Sequence, residues 1–263
     1  MNSIIQKEKF GFIGCGHLGF AFVQAFLNSG FPRENIHISY SGRKSTHEKL
    51  TQAGLKDCLS TNDAILINCD YIFLFVRPDQ LGNIDTSHTK KDALIISSLA
   101  GVSIGELSNK FQKDIIRLMP TNPDSIVSGS GICALYPEAT KIKALLHKLK
   151  IGLIPINKES GFHCFTALSV LPAIILQSEL LSVPVDKKKI LSEYPGYTSI
   201  IEWAFSHVPS ALTKNEKISC ISKTATPGGI TEAMIFSFKN KKSIMDAIRD
   251  GIKRSQQIEE GLS

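Results

Sequence analysis

Through the first 156 residues, short apolar runs alternate with amphipathic stretches. The runs are Lys9–Ile13, Asn35–Ser39, Tyr71–Val76, Ala93–Ser97, Asp114–Leu118, Gly131–Leu135 and Gly152–Ile156. Their length and continuous apolar character predict strands covered on both faces. Between the first two, Leu18, Ala21, Phe22, Ala25 and Phe26 keep helical spacing, and Gly30 stands where a helix C-cap belongs. Strand, helix and strand in about 30 residues make a βαβ unit. The sheet should therefore be mainly parallel, with helices on both faces.

After Ile156 the strand signal fades and the pattern turns helical almost to the end. Ile244, Ala247, Ile248, Gly251 and Ile252 share a helix face, with Ser243 as its N-cap and Asp246 three residues on. A boundary near Asn157 is expected, dividing an α/β domain (1–157) from an all-helical one (158–263). Residues Ser160–Ser178 carry no charge, but His163, Thr166, Ser169, Pro172 and Gln177 argue against a membrane span. The stretch predicts a helix buried between subunits, and so self-association into a homodimer or larger assembly.

Composition narrows the class without changing this outline. At 43% apolar and 21% charged residues, the chain can build a core and is neither a disordered tail nor a membrane protein. The net charge of +6 is scattered. Its densest runs, Lys187–Lys189 and Lys239–Lys242, interrupt helical patterns and read as solvated faces, so no nucleic-acid partner is expected. The charge suits an anionic substrate. Six cysteines form no C-x-x-C and no zinc-like spacing, which predicts a reduced chain without a metal site, located in the cytoplasm. Lys7 and Lys9 before Phe10–Leu27 imitate a signal peptide, but Gly11, Gly14, Gly16 and Gly19 interrupt its apolar region.

The candidate chemistry begins at Gly14-Cys15-Gly16-His17-Leu18-Gly19, a G-x-G-x-x-G directly after the first strand and at the start of the first helix. Gly14 permits the tight turn, Gly16 lets a pyrophosphate approach the backbone, and Gly19 allows close helix packing. His17 and Leu18 open the helix whose free N–H groups face the phosphates. A purely structural glycine turn is the alternative. At the end of the second strand, Ser39-Tyr40-Ser41-Gly42-Arg43-Lys44-Ser45 contains no carboxylate for the ribose of NAD. Ser41, Arg43 and Lys44 instead suit the 2′-phosphate of NADP(H), the alternative being an exposed basic turn.

Several further motifs follow in order: Thr61-Asn62-Asp63, Asp70 to Pro78 with its Val-Arg-Pro end, Ser98 to Val102, Arg117 to Pro123 with Met119-Pro120, and Thr224 to Thr231 with Pro227-Gly228-Gly229. In this order, over nearly the whole chain, the sequence resembles pyrroline-5-carboxylate reductases. The resemblance implies an α/β Rossmann-type N-terminal domain with a mainly parallel sheet, followed by an all-α C-terminal dimerisation domain. It implies hydride transfer from NADP(H) to a carboxylate-bearing cyclic imine, giving L-proline. By position, Asn62 would lie near the adenosine ribose, Val76, Arg77 and Pro78 near the nicotinamide ribose, and Ala100 and Gly101 under the nicotinamide. Thr231 would hold the imine nitrogen, and Ser169 keeps a serine of the family's site.

The Pro227-Gly228-Gly229 turn also has a physical use of its own. Backbone free of side chains at the start of a helix offers N–H groups to a carboxylate, and Thr226 and Thr231 add hydroxyls. A plain glycine-rich helix start is the alternative. The chain departs from the family at Thr166 to Ile174, where bulky residues such as Val170 and Leu171 replace small ones, and at Thr121-Asn122, where the usual order is inverted. Both departures fall on the substrate side. They keep open another imine, a deazaflavin partner, or a cofactor-binding protein that has lost turnover.

Overall fold

The computed structural model describes residues 7–261; the ends of the expected division, 1–6 and 262–263, lie outside the described residues. The chain forms two compact units, the first through Glu159 and the second from Ser160.

The first unit is built on a seven-stranded sheet: β1 (Phe10–Ile13), β2 (Ile36–Ser39), β3 (Tyr71–Leu74), β4 (Leu94–Ser97), β5 (Ile115–Pro120), β6 (Ile132–Tyr136) and β7 (Gly152–Pro155). Their order is β2-β1-β3-β4-β5-β6-β7. All neighbours are parallel except β5 and β6. Each apolar run of the sequence becomes a strand, and the one reversal follows the short helix that joins β5 to β6. The helices of this unit are α1 (His17–Asn28), α2 (Lys44–Gln52), α3 (Asn62–Asn68), α4 (Ile104–Phe111), α5 (Pro123–Ser128) and α6 (Thr140–Lys148).

Side chains alternate across the sheet as period two requires. Phe10, Phe12, Tyr71, Phe73 and Ile96 join one buried cluster, whereas Ile13, Ile72, Leu74 and Ile95 join the other. In the first cluster Phe26 of α1 meets Phe10 and Phe12 edge-on, with ring centres 5.0 and 5.1 Å apart. This geometry sets the rim of one ring against the face of the next. On the other face a Cβ at Gly11 would lie 2.2 Å from Ile65 Cγ2, so this glycine allows α3 to settle onto β1. Helix α1 ends as expected: Gly30 takes φ +77°, and Phe31 N–H reaches back to Phe26 O at 3.1 Å.

The second unit is helical: α7 (Gly161–Ser169), α8 (Leu171–Leu181), α9 (Lys187–Glu193), α10 (Thr198–Ser206), α11 (Lys214–Thr224), α12 (Ile230–Lys239) and α13 (Ile244–Glu259). Ser243 and Asp246 form the expected capping box of α13. The uncharged Ser160–Ser178 stretch is two helices, not one, bent by 49° at Val170. Pro172 sits in the first turn of α8, where a missing N–H does no harm. Burial of most of this stretch does not need a second subunit. Phe162, Phe165, Leu168, Leu171, Ile174 and Leu176 are already buried within one chain, against α10 to α13. Among the described residues, no single helix is long and apolar enough to cross a membrane.

Candidate functional site

Chain order jumps across β1 between β2 and β3, which opens a crevice at the carboxyl ends of these strands, where ligands of such sheets bind. A cavity of about 500 Å³ lies there. Its wall includes the glycine turn (Gly14 to Leu18), the end of β2 (Ser39, Tyr40, Ser41, Arg43, Thr46), Asn62, and the end of β3 (Phe75, Val76, Arg77) with Gln80, Asn83 and Ile84. No Asp or Glu is among these residues.

The turn is shaped by its glycines. Gly14 has φ +95°, and a Cβ there would stand 2.6 Å from Val76 N; a Cβ at Gly19 would stand 2.3 Å from Gly14 O. Side chains at these two positions would push the turn off the sheet. Gly16 differs: a Cβ there meets nothing within 4 Å and would project into open space, as expected where a phosphate must approach. The turn is fixed to β2 by Gly14 N–H and Cys15 N–H, both donating to Ser39 O at 3.1 Å. The Cys15 thiol is buried, and burial pushes it up to about 12, Lys49 only partly opposing this. It is a packing group rather than a nucleophile.

Two helix starts border the cavity, α1 behind Gly16 and α2 behind Arg43. Neither has a side-chain cap or an acid in its first turn, whereas α3, α4 and α5 are capped by Thr61, Ser103 and Asn122. Their N–H groups are thus left for an anion. Asn62 is oriented by Ser39, whose hydroxyl donates to Asn62 Oδ1 at 2.6 Å. Arg77 is committed to Asp79 through Nε at 3.0 Å and Nη2 at 2.7 Å. That hydrogen-bonded guanidinium holds the Asp79 carboxyl below its usual range. Lys44 lies outside the cavity wall, its ammonium exposed and 3.9 Å from Glu48. Pro78, Ala100 and Gly101 are also outside the wall, Pro78 opening a 3-10 turn to Asn83 and the pair following β4.

In the second unit a groove of about 330 Å³ runs along α12, lined by Gly228, Gly229, Glu232, Ala233, Ile235, Phe236, Lys239 and Arg254. The glycine turn is not free. Gly228 N–H donates to Glu232 Oε2 at 2.8 Å, Gly229 N–H to Thr226 O at 2.9 Å, and Arg254 Nε to Gly228 O at 2.7 Å. Thr231 is buried in the first turn of α12 and outside that groove. Ser169 donates to Thr166 O at 2.8 Å. The structure therefore brings Gly228 and Gly229 together in one groove but sets Thr231 and Ser169 apart from it.

Residues 9–101 match a family described as NADP oxidoreductase, coenzyme F420-dependent. Over its whole length the chain is similar to pyrroline-5-carboxylate reductase 2 of Bacillus subtilis, with 26% identity over 96% of each chain. It is likewise similar to the pyrroline-5-carboxylate reductase of Aquifex aeolicus, with 25% identity over 98% of each. The fold is that of the Plasmodium falciparum pyrroline carboxylate reductase solved with NADP bound: TM-score 0.59 at 21% identity, covering 97% of this chain and 99% of that one. Along essentially its whole length, then, the chain is similar to pyrroline-5-carboxylate reductases at about one residue in four.

The cavity fits NADP(H): two uncapped helix starts, an open Gly16, Arg43, and no carboxylate among the lining residues. Sequence reasoning missed Tyr40, Thr46, Gln80 and Asn83, which also line the cavity. Tyr40 was within the segment read as basic, and its hydroxyl is 2.7 Å from His47 Nδ1. Gln80 and Asn83 carry no motif; they reach the wall from the 3-10 turn Pro78–Asn83 that follows β3.

Proposed function

We propose that this chain is a reductase that converts 1-pyrroline-5-carboxylate to L-proline with NADPH. What carries the reading is likeness to reductases of that name along essentially the whole chain, second unit included. Bound NADPH supplies a hydride to the imine carbon. The protein binds and orients: Gly14 to Leu18 and the start of α1 take the pyrophosphate, Ser41 and Arg43 the 2′-phosphate, and Asn62 the adenosine ribose. Val76, Arg77 and Pro78 lie toward the nicotinamide ribose, with Ala100 and Gly101 beneath the ring.

Gly228, Gly229 and Thr226 hold the substrate carboxylate in this reading, and the Thr231 hydroxyl supports the imine nitrogen as it takes up charge. Thr231 suits that task because its hydroxyl makes no hydrogen bond among the described residues and so keeps its donor for a ligand. Ser169, its own proton directed to Thr166 O, offers only lone pairs. The domain roles proposed are dinucleotide binding for 1–157 and substrate binding with dimerisation for 158–263. Self-association is supported by exposed Leu181, Ile218 and Phe236 on the second unit rather than by Ser160–Ser178. A reduced, cytoplasmic setting agrees with six free cysteines.

The test is NADPH oxidation with 1-pyrroline-5-carboxylate, proline being identified as product, with light scattering of the same sample. NADPH binding without turnover would leave a cofactor-binding protein. Turnover only with a deazaflavin would favour the reading that the family description of residues 9–101 supports.

A further inference from the structure

Between β4 and α4 the chain turns through Leu99, Ala100 and Gly101, the last with φ +73°. Leu99 and Val102 are buried while Ala100 is exposed, so the turn presents backbone outward from an anchored base. Packing alone does not hold it. Arg117, on β5, is 3% exposed, and its Nη1 donates to Glu159 Oε1 at 2.7 Å. Its Nη2 reaches Leu99 O at 3.4 Å, a long contact. The same Glu159 oxygen accepts from Ile104 N–H, the first helical N–H of α4, at 2.7 Å. A closed path thus runs from Leu99 O through Arg117 and Glu159 to Ile104 N, with Gly101 in the bracketed segment. Ser98 Oγ, donating to Leu118 O at 2.6 Å, ties the same turn to β5 a second time.

An ion pair in such a place is a poor source of stability, because desolvating two charges offsets most of their attraction, and apolar side chains of similar volume often serve as well. Its geometry is more informative than its energy. Glu159 comes from the last residue of the first unit, far along the chain from Arg117, and both are aimed at the two ends of one short segment. With Ser98 Oγ on Leu118 O at the strand end and Glu159 on Ile104 N–H at the helix end, the segment is held at both ends.

We propose that Arg117 and Glu159 are positioning residues: their pair sets the height of the Leu99–Gly101 turn and so the seat of the cofactor's reacting ring. This rests on the reading above that places Ala100 and Gly101 under the nicotinamide. Neither residue touches the cofactor in that arrangement. Their removal should therefore spare the adenosine half, held in the cavity at β1 to β3, and disturb only the reacting half. A seat displaced by about 1 Å costs on the order of 10²-fold in rate.

Arg117→Met combined with Glu159→Leu removes both charges without stranding either, and Glu159→Gln keeps an acceptor for Ile104 N–H and Arg117. Four measurements decide the matter: melting temperature, affinity for 2′,5′-ADP, kcat, and the fluorescence of bound NADPH, which reports the surroundings of its nicotinamide and needs no substrate. The double variant is expected to melt within a few degrees of the parent and to bind 2′,5′-ADP within about twofold. It should lose most of the change in nicotinamide fluorescence on binding, and kcat should fall roughly 30- to 100-fold, with Glu159→Gln recovering most of both. Unchanged nicotinamide fluorescence in a folded double variant would overturn the proposal. Absence of turnover in the parent would instead overturn the substrate reading, and the fluorescence would still decide the role of the pair.

Discussion

Gly228 N–H donates to Glu232 Oε2 at 2.8 Å, so the turn proposed to hold a substrate carboxylate already holds one from its own helix. The two carboxylates compete for one donor, and a negative charge beside the turn opposes a second. Glu232→Ala is expected to lower KM for pyrroline-5-carboxylate, and the Kd of L-proline, by roughly three- to tenfold, the exposed position of Glu232 limiting the effect. Calorimetric titration with proline in the presence of NADP checks this. Equal affinity for parent and variant would show that the carboxylate binds elsewhere.

Preference for NADPH over NADH should depend on Arg43, the cation that lines the cavity at the start of α2, rather than on Lys44, which leans toward Glu48. Arg43→Ala is expected to weaken NADPH about tenfold or more and NADH hardly at all, since a charge-assisted contact to phosphate is what disappears. Lys44→Ala should change NADPH affinity less than Arg43→Ala. Fluorescence titration of both cofactors at fixed salt separates the two residues.

Much of the first unit could be read from the chain because its information is local. Seven apolar runs and one fully kept helical spacing are enough to predict strands and α1. The reversal of β6 could not be read so, because Gly131–Leu135 is as apolar as its parallel neighbours and direction is set by the connection through α5. In the second unit, absence of charge over Ser160–Ser178 conveyed burial but not what does the burying; α10 to α13 of the same chain supply it. At the site, glycines and the missing carboxylate after β2 were visible as residue types. That Glu232 would fill the Gly228 donor, or that Lys44 would turn away, depends on side-chain placement that no spacing encodes.

Glycines 14 and 16 should fail differently. Gly14→Ala forces a side chain at φ +95° against Val76 N, so the folded state should lose about 1–3 kcal/mol and cofactor affinity with it. Gly16→Val meets nothing in the protein and should leave the melting temperature within a few degrees while weakening NADPH at least tenfold. Thermal melts with and without NADPH distinguish these patterns. A Gly16→Val variant that binds NADPH as the parent does would place the pyrophosphate elsewhere.

Acid sensitivity should have one source at the base of the sheet. Burial alone would push the Asp70 carboxyl up, but hydrogen bonds from the Lys90 ammonium and from Lys9 N–H, with their charges, outweigh it and hold the carboxyl below its usual range. A carboxyl lowered in the folded state binds fewer protons there than in the unfolded chain. Its contribution is therefore present above the unfolded value, near 4, and is lost as pH falls through the folded one. Asp70→Asn should destabilise the protein at pH 7, and the difference should shrink steadily below about pH 4. Urea unfolding at several pH values measures it, and a gap that stays constant into acid would remove Asp70 as the cause.

The chemical step puts Thr231 to the test. Its hydroxyl lies in the first turn of α12, 4% exposed and without a hydrogen bond among the described residues, so Thr231→Val replaces it at nearly constant shape and strands no partner. If the hydroxyl supports the imine nitrogen chiefly as hydride arrives, kcat should fall on the order of 10²-fold while NADPH affinity and melting temperature hold. Thr231→Ser, which keeps the hydroxyl, should retain most of the rate, whereas loss of packing alone would lower the stability of both variants without separating their rates. KM for the imine should move little in Thr231→Val, because the carboxylate is held by Gly228 and Gly229 in the proposed arrangement. A rise in KM with kcat intact would assign Thr231 to binding the ground state. Full activity in Thr231→Val would transfer the donor role to another group.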